Sequence, residues 1–402
     1  MPEQCQNVAL ANCCKHIAEY IYMSLFLLSF LLIYGGFHLY FFLKTKAAFT
    51  LPRWTFFLLT AFLLVMVATP FLVRISERSG YDQLAIFLAY FGYTWMGVIF
   101  LFVAASLAVD GYRIIVWVSG VLLRKKLLLR INPKPAFYIP LIFSLIISVV
   151  GSFEAWDIRI EKITLASEKI PASLSGLRVV QISDVHLGLI VRHKRLKKIL
   201  EAVQKANPDI LVSTGDLVDG QINKLEGLAE MLQSIKPRYG KYAVTGNHEF
   251  CAGLQDSLAF TQKAGFTVLR NKGKSVTDYL NIAGVDDRTS RYFKKSPGIS
   301  EKDMLKRLDR KKFILLLKHR PEIDQESLGL FDLQLSGHTH KGQIFPFNII
   351  TLLYFPIHWG ILNPVDHCFL YVSRGSGTWG PPIRFLSPPE VTLIELVPDS
   401  KK

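Results

Sequence analysis

Two patterns of apolar positions divide the chain. Over the first 150 residues the apolar side chains come in long runs rather than at a helical or strand period. These runs have roughly the 20-residue length with which an α-helix crosses a bilayer. Three are clear, near Ile21 to Leu43, Thr55 to Val73 and Leu84 to Val109, and a fourth, Phe137 to Trp156, contains Pro140, Gly151 and Glu154. The stretch Tyr112 to Leu129 is shorter and carries Arg113, Arg124, Lys125 and Lys126, so it is expected to lie in the membrane interface. The first run is too long for a signal-peptide core, lacks a small-residue cleavage site and is followed by further spans, so it reads as an anchor. Residues 1–156 are therefore expected to form an all-α, multi-pass transmembrane region of about four helices.

From Leu177 onward the pattern changes to short β-branched runs that alternate with charged stretches of helical period, the signature of an α/β domain over residues 157–402. Strands are predicted at Leu177 to Ser183, Ile210 to Ser213, Tyr242 to Thr245, Phe313 to Leu317, Phe331 to Leu335 and Phe369 to Val372, with helices at Arg195 to Lys205 and Lys302 to Leu308.

The composition agrees with this division. Of 402 residues, 50% are hydrophobic and 20% charged, and mean hydropathy is +0.28, which excludes intrinsic disorder and collagen-like or coiled-coil architectures. Cys5, Cys13, Cys14, Cys251 and Cys368 show neither disulfide-scaffold nor zinc-finger spacing. The first three, beside the first span, read as an incidental reduced cluster in preference to an acylation site. The net charge of +15 is spread evenly, +7 over residues 1–150 and +8 over the rest. No zinc-finger, RNA-recognition or basic-region pattern accompanies it, so anionic lipid is a better partner for the juxtamembrane charge than nucleic acid. Lys44, Lys46 and Arg53 follow span one, and Arg113, Arg124, Lys125, Lys126, Arg130 and Lys134 follow span three, which places those loops in the cytoplasm. Four spans then put the α/β domain on the extracytoplasmic side of the cell membrane.

The predicted strands end in polar residues. The first runs into Asp184 and His186, which share one face if the chain stays extended. The second ends at Asp216, the third at Asn247, His248 and Glu249, the fourth at His319 and Arg320, and the fifth at His338, His340 and Lys341. Each alone reads as a turn or hydrogen-bonding residue. Together they offer carboxylate oxygen, amide oxygen and imidazole without cysteine, a donor set suited to a hydrolytic binuclear site holding two divalent ions such as Mn, Fe or Zn.

This ordered set of Asp-x-His, Gly-Asp, Gly-Asn-His-Glu, a lone His and Gly-His-x-His resembles the calcineurin-like metallophosphoesterase superfamily. Gly215 to Gly220, Gly337 to His340, Gly342 to Pro346 and Ser373 to Pro382 look like its membrane-anchored bacterial phosphodiesterase-type branch. The resemblance implies a four-layer α/β/β/α sandwich with two mixed sheets and a site at the strand ends. It implies that Asp184, His186, Asp216 and His340 hold one metal while Asp216, Asn247, His319 and His338 hold the other, Asp216 bridging. It further implies hydrolysis of a phosphodiester or pyrophosphate-type bond by a metal-activated hydroxide, with His248 protonating the leaving oxygen and Glu249 orienting its ring. Arg320 and Lys341 depart from the branch pattern and are read as substrate-phosphate contacts against the alternative of solvated surface charge; Arg374 and Arg384 divide the same way. Asp286 and Asp287 read as turn residues, and Trp54, Trp359 and Trp379 as packing residues or a lipid-facing mouth. Two other functions remain open: a UDP-diacylglucosamine pyrophosphatase-like enzyme of lipid A assembly acting on a lipid-linked substrate, and an inactive membrane sensor or scaffold.

Overall fold

The computed structural model describes residues 25, 27–124, 132–220, 225–293 and 298–399. Cys5, Cys13, Cys14 and residues 125–131 lie outside that range. The chain divides into two compact units, the described residues up to Arg74 with Trp95–Ser148, and Ile75–Thr94 with Val149–Lys402.

Among the described residues four helices are long and apolar enough to cross a membrane: α1 (Leu27–Ala48), α2 (Arg53–Arg78), α3 (Asp82–Leu122) and α4 (Pro133–Glu154). The first unit packs Tyr34 and Phe41 of α1 against Ile99 and Phe102 of α3 and Phe137 of α4. Tyr112 to Leu122 is a continuation of α3 rather than a separate interfacial segment. At 41 residues α3 rises about 62 Å, roughly twice the hydrocarbon thickness. The spans are also less plain than their hydropathy suggests. His38 donates from Nδ1 to Tyr34 O at 2.7 Å and accepts at Nε2 from Trp95 Nε1 at 2.9 Å, and the Asp110 carboxylate accepts from Lys44 Nζ at 2.5 Å and Tyr40 Oη at 2.6 Å. A buried ionisable group in such a bundle needs partners of this kind.

Among the described residues of the second unit, twelve strands form two mixed sheets: β1 (Arg159–Ser167), β2 (Leu177–Ile182), β3 (Ile210–Ser213), β4 (Lys241–Ala243), β5 (Thr267–Val268), β6 (Lys272–Ser275), β7 (Leu280–Val285), β8 (Phe313–Lys318), β9 (Leu333–Ser336), β10 (Gly360–Val365), β11 (Cys368–Val372) and β12 (Glu390–Pro398). One sheet has the order β1-β12-β2-β3-β4-β5 and the other β10-β11-β9-β8-β7-β6. The central pairs β2-β3-β4 and β7-β8-β9-β11 are parallel. Both faces of these strands are covered, so they read as continuous apolar runs. Val179, Val212, Ile282, Leu315 and Leu335 point between the sheets. Val180, Ile182 and Leu211 meet Leu196 and Ile199 of α5 (His193–Ala206) and Leu228 of α6 (Leu228–Gln233) on the outer face of the first sheet. Phe260 of α7 (Asn247–Lys263) joins that layer. The short α8 (Thr289–Tyr292) follows β7, and α9 (Glu301–Lys306) places Met304 and Leu305 over Ile314 and Leu316 of the second sheet. These layers make the expected α/β/β/α sandwich. The predicted strands are present, shifted by a residue or two at their ends. β1 and β12, paired in parallel over nine residues, were not among them, because their partner positions lie at opposite ends of the domain sequence.

Candidate metal centre

Parallel strands end at a common edge, and that edge gathers the polar residues. Asp184 and His186 follow β2, Asp216 follows β3, Asn247 opens α7 after β4, His319 follows β8, and His338 and His340 follow β9. The backbone at Asp184 and His186 does not stay extended as the sequence suggested: both have φ near +50°, as do Asp216, His338 and His340 within the range 48–72°. A left-handed turn at a non-glycine residue costs about 1–3 kcal/mol and persists where surrounding structure imposes it. Here it swings successive side chains toward one point. The motif glycines allow the close packing this requires. A Cβ on Gly246 would strike the Asp216 carboxylate, and one on Gly337 would strike Ser183 Oγ and Asp184 Oδ2.

Three groups of side chains converge so that their donor atoms lie within 4.8 Å of one another: Asp184, His186 and His340; His186, Asp216 and His248; and Asp216, His319 and His338. His186 Nε2 faces His340 Nε2 at 3.1 Å, and His340 Nε2 is 3.6 Å from Asp184 Oδ1. On the other side His319 Nε2 lies 3.1 Å from Asp216 Oδ2, 3.1 Å from His338 Nδ1 and 3.3 Å from Asn247 Oδ1. Asp216 Oδ2 is also 3.9 Å from His186 Nε2, so one oxygen faces both groups. Imidazole nitrogens this close cannot all carry protons, and bare lone pairs beside buried carboxylates are the donor set that a first-row divalent cation accepts. The residues fit such ions.

Charge in the cluster is polarised. Burial works against ionisation of Asp216, but the neighbouring His319 and His248 outweigh it and hold that carboxyl well below the usual range. Burial pushes Asp184 up. Burial depresses His319 and His248, yet the Asp216 charge overcomes this and raises each to about 10. Burial, with the adjacent His319 and Arg320 charges, brings His338 down to about 2. Burial and Arg384 lower His340.

Several supporting residues differ from expectation. Glu249 does not orient His248. Its carboxylate accepts from Gly246 N at 2.6 Å, Leu217 N at 2.7 Å and Asp216 N at 3.0 Å, capping α7 and holding the Asp216 loop. The residue beside His248 is Asp219, whose Oδ1 is 3.0 Å and main-chain oxygen 3.3 Å from His248 Nδ1, with His186 Nδ1 3.6 Å from the same Oδ1. Asp219 stands in the quoted Gly215 to Gly220 motif, where a turn role masked it. Arg320 lies in the site: Nη1 meets His338 Nε2 at 2.9 Å, and Nε pairs with Asp287 Oδ2 at 2.7 Å. Asp287 thus positions Arg320, and Asp286 pairs with Arg270 at 2.6 Å. Lys341 carries its ammonium over the Trp359 ring, 4.1 Å from the centroid.

Arg374 and Arg384 are neither surface charges nor phosphate contacts. Arg374 is buried between Glu390, at 2.5 Å, and Glu161. Arg384, fully buried, donates to the carbonyls of Arg374 and Gly377 at 2.7 and 2.6 Å and approaches His340 Nδ1 at 3.2 Å. Trp379 is half exposed, its ring 5.8 Å from that of His248.

Residues 177–342 match the family model described as calcineurin-like phosphoesterase. A metallophosphoesterase of Aquifex aeolicus is 40% identical over 255 residues, which cover 63% of this chain and 97% of that protein. A transmembrane protein with metallophosphoesterase domain from Danio rerio is 34% identical over 268 residues, covering 64% of this chain and 61% of the relative's length. Among solved structures, a putative 5'-nucleotidase from Staphylococcus aureus overlaps 57% of this chain and 56% of its own at a TM-score of 0.34 and 14% identity. By its match over nearly the whole Aquifex protein, the chain belongs to the calcineurin-like metallophosphoesterases.

Proposed function

We propose that this protein is a membrane-anchored phosphoesterase that cleaves phosphodiester or pyrophosphate-type bonds at the Asp–His cluster, with two divalent cations. The observation that carries the proposal is Asp216, the one carboxylate common to donor groups on both sides of the site. Asp184, His186 and His340 with Asp216 would hold one ion, and Asn247, His319 and His338 with Asp216 the other. Bound there, the cations supply Lewis acidity toward the phosphoryl oxygens and activate water as the nucleophile.

The chain's own groups do the rest. His248, with Nδ1 against Asp219, keeps Nε2 for donation to the leaving oxygen, and Asp219 fixes the ring. Glu249, through three main-chain amides, keeps the Asp216 loop in its left-handed turn. Arg320, braced by Asp287, offers a guanidinium to a non-bridging phosphate oxygen. Lys341 adds positive charge one residue beyond His340. The positive-inside rule, applied to four spans with their basic loops in the cytoplasm, supports an extracytoplasmic site at the cell membrane.

Purified full-length protein loaded with Mn should turn over bis-p-nitrophenyl phosphate, and Asp216→Ala should abolish turnover. Absence of turnover by the loaded parent, or undiminished turnover by the variant, rejects the proposal. A reporter fused after Pro398 tests the side of the membrane, and a cytoplasmic signal rejects the topology.

A further inference from the structure

The segment that follows the Gly-His-x-His motif is unusual for a water-exposed surface. Helix α10 (Phe347–Tyr354) reads Phe-Asn-Ile-Ile-Thr-Leu-Leu-Tyr, and only Thr351 is buried. Leu353 is 81% exposed and Ile350 56%. Phe345 before it, and Trp359, Ile361 and Leu362 after it, are exposed as well. Apolar surface of this extent marks a site of contact with another apolar phase. The two polar residues, Asn348 and Thr351, are three apart and turned toward the protein while the six apolar residues are exposed, so α10 lacks the polar outer face of a helix lying on a protein core.

Two observations identify that phase. The first is continuity with the end of a membrane-spanning helix. In the last turn of α4, Gly151 O accepts from Arg384 N at 2.9 Å, and the Glu154 carboxylate accepts from Ser387 N at 2.8 Å and Leu386 N at 3.2 Å. That same loop pairs with the chain leading into α10, Phe345 N donating to Phe385 O at 3.1 Å and Phe385 N to Gln343 O at 2.9 Å. Two short links thus join α10 to the residue where span four ends. The second is the rim of the surface. Trp359, part of that surface, stacks under Lys341, and Trp156, where span four ends, sits beside Lys198 at 5.3 Å. Tryptophan with basic side chains is the composition of a membrane–water interface.

The same surface borders the metal centre. It begins five residues after His340, and at its far end Phe355 packs edge-on against His338 at 5.4 Å. A bilayer that receives α10 therefore brings its headgroups to the His338 and His340 side of the cluster.

We propose that α10 and its exposed flanks lie in the interface of the membrane that anchors the protein, and that the site acts on phosphoester headgroups of lipids held in that bilayer. The inference rests on the phosphoesterase reading above and narrows it to a substrate class. Membrane contact by α10 would replace diffusion of a soluble ester with presentation of the phosphate at high local concentration.

The test uses full-length, Mn-loaded protein in phosphatidylcholine vesicles with two chromogenic phosphodiesters that share a leaving group: p-nitrophenyl phosphatidate in the bilayer and ethyl p-nitrophenyl phosphate in solution. The parent should show a higher kcat/KM on the lipid ester. Leu353→Glu with Ile350→Glu should lower lipid-ester turnover about tenfold, as expected when charge replaces apolar anchors in lipid, and leave the soluble ester within twofold. Equal effects on both esters, no effect on either, or a parent that prefers the soluble ester overturns the inference while leaving the phosphoesterase reading intact. If the variant instead lowers the oligomeric mass with lipid-ester turnover unchanged, α10 is a self-association surface and the inference fails. A parent inactive on both esters refutes the phosphoesterase reading itself.

Discussion

Replacing Asp219 by Asn removes one negative charge from beside two imidazoles and changes little in volume. Its Oδ1 is 3.0 Å from His248 Nδ1 and 3.6 Å from His186 Nδ1. Burial opposes ionisation of Asp219, yet those two histidines hold its carboxyl well below the ordinary range. At 3.0 Å and an effective dielectric near 20, the charge–charge attraction to a protonated His248 is about 5 kcal/mol. Asn retains a dipole at the same place, and the proton of Nδ1 is shared with the Asp219 carbonyl at 3.3 Å. The net loss should therefore be about 1.5–3 kcal/mol, the low end of the coupling between close charge pairs, or roughly 10–100-fold in rate. The sign of the pH effect follows from the same contact. Burial lowers His248, and Asp216 and Asp219 together raise it to about 10, so removing one of them lets the proton leave at lower pH. The alkaline limb of kcat should move down. The assay is kcat on bis-p-nitrophenyl phosphate at saturating Mn, in a cycle with His248→Ala. If Asp219 acts through His248, Asp219→Asn costs little in the His248→Ala background. Full additivity, an unmoved pH profile, or an Asp219→Asn variant as active as the parent would refute this role.

Three further outcomes are expected. Gly246→Ala keeps a φ of −99° that is open to alanine, but the added carbon would strike both the Asp216 carboxylate and, at 2.6 Å, the Asp216 main-chain nitrogen; Mn affinity by calorimetry and Tm should both fall, and a variant with the parent's affinity contradicts the packing argument. Metal loading should release protons, because His319, raised to about 10 by Asp216 against the effect of burial, holds a proton at neutral pH that a ligand must lose. Affinity should rise with pH below that value, and calorimetry in buffers of different ionisation enthalpy should find about one proton released per site bearing His319; zero release contradicts it. Arg384→Met leaves the Gly377 and Arg374 carbonyls without their donor, which at about 1–3 kcal/mol for each unsatisfied group should lower Tm by several degrees; a stability equal to the parent's contradicts the bonding described.

The sequence was most informative where one residue type does one thing. That Asp184, His186, Asp216, Asn247, His319, His338 and His340 form one candidate cluster was legible because imidazole and amide groups at successive strand ends have few structural reasons to recur; the strands that carry them belong to two sheets. Residues with a plausible ordinary role were harder. Asp219 and Asp287 look like turn carboxylates until their partners are known. Glu249 follows His248 in sequence, but as the third residue of α7 it points back to the helix start. Arg374 and Arg384 resemble surface charge because burial of arginine depends on distant partners, Glu390 and Glu161 for one and main-chain carbonyls for the other. Hydropathy located all four spans, but not that α3 runs on to Leu122. α10 escaped notice because an eight-residue apolar stretch reads equally well as a buried strand.

Anomalous diffraction at the manganese edge, from crystals of the Mn-loaded protein, would locate any cations held by the Asp–His cluster on either side of Asp216. Two peaks should flank the Asp216 carboxylate, one toward His186 and His340 and the other toward His319 and His338. A single peak, or none in contact with Asp216, would contradict that arrangement.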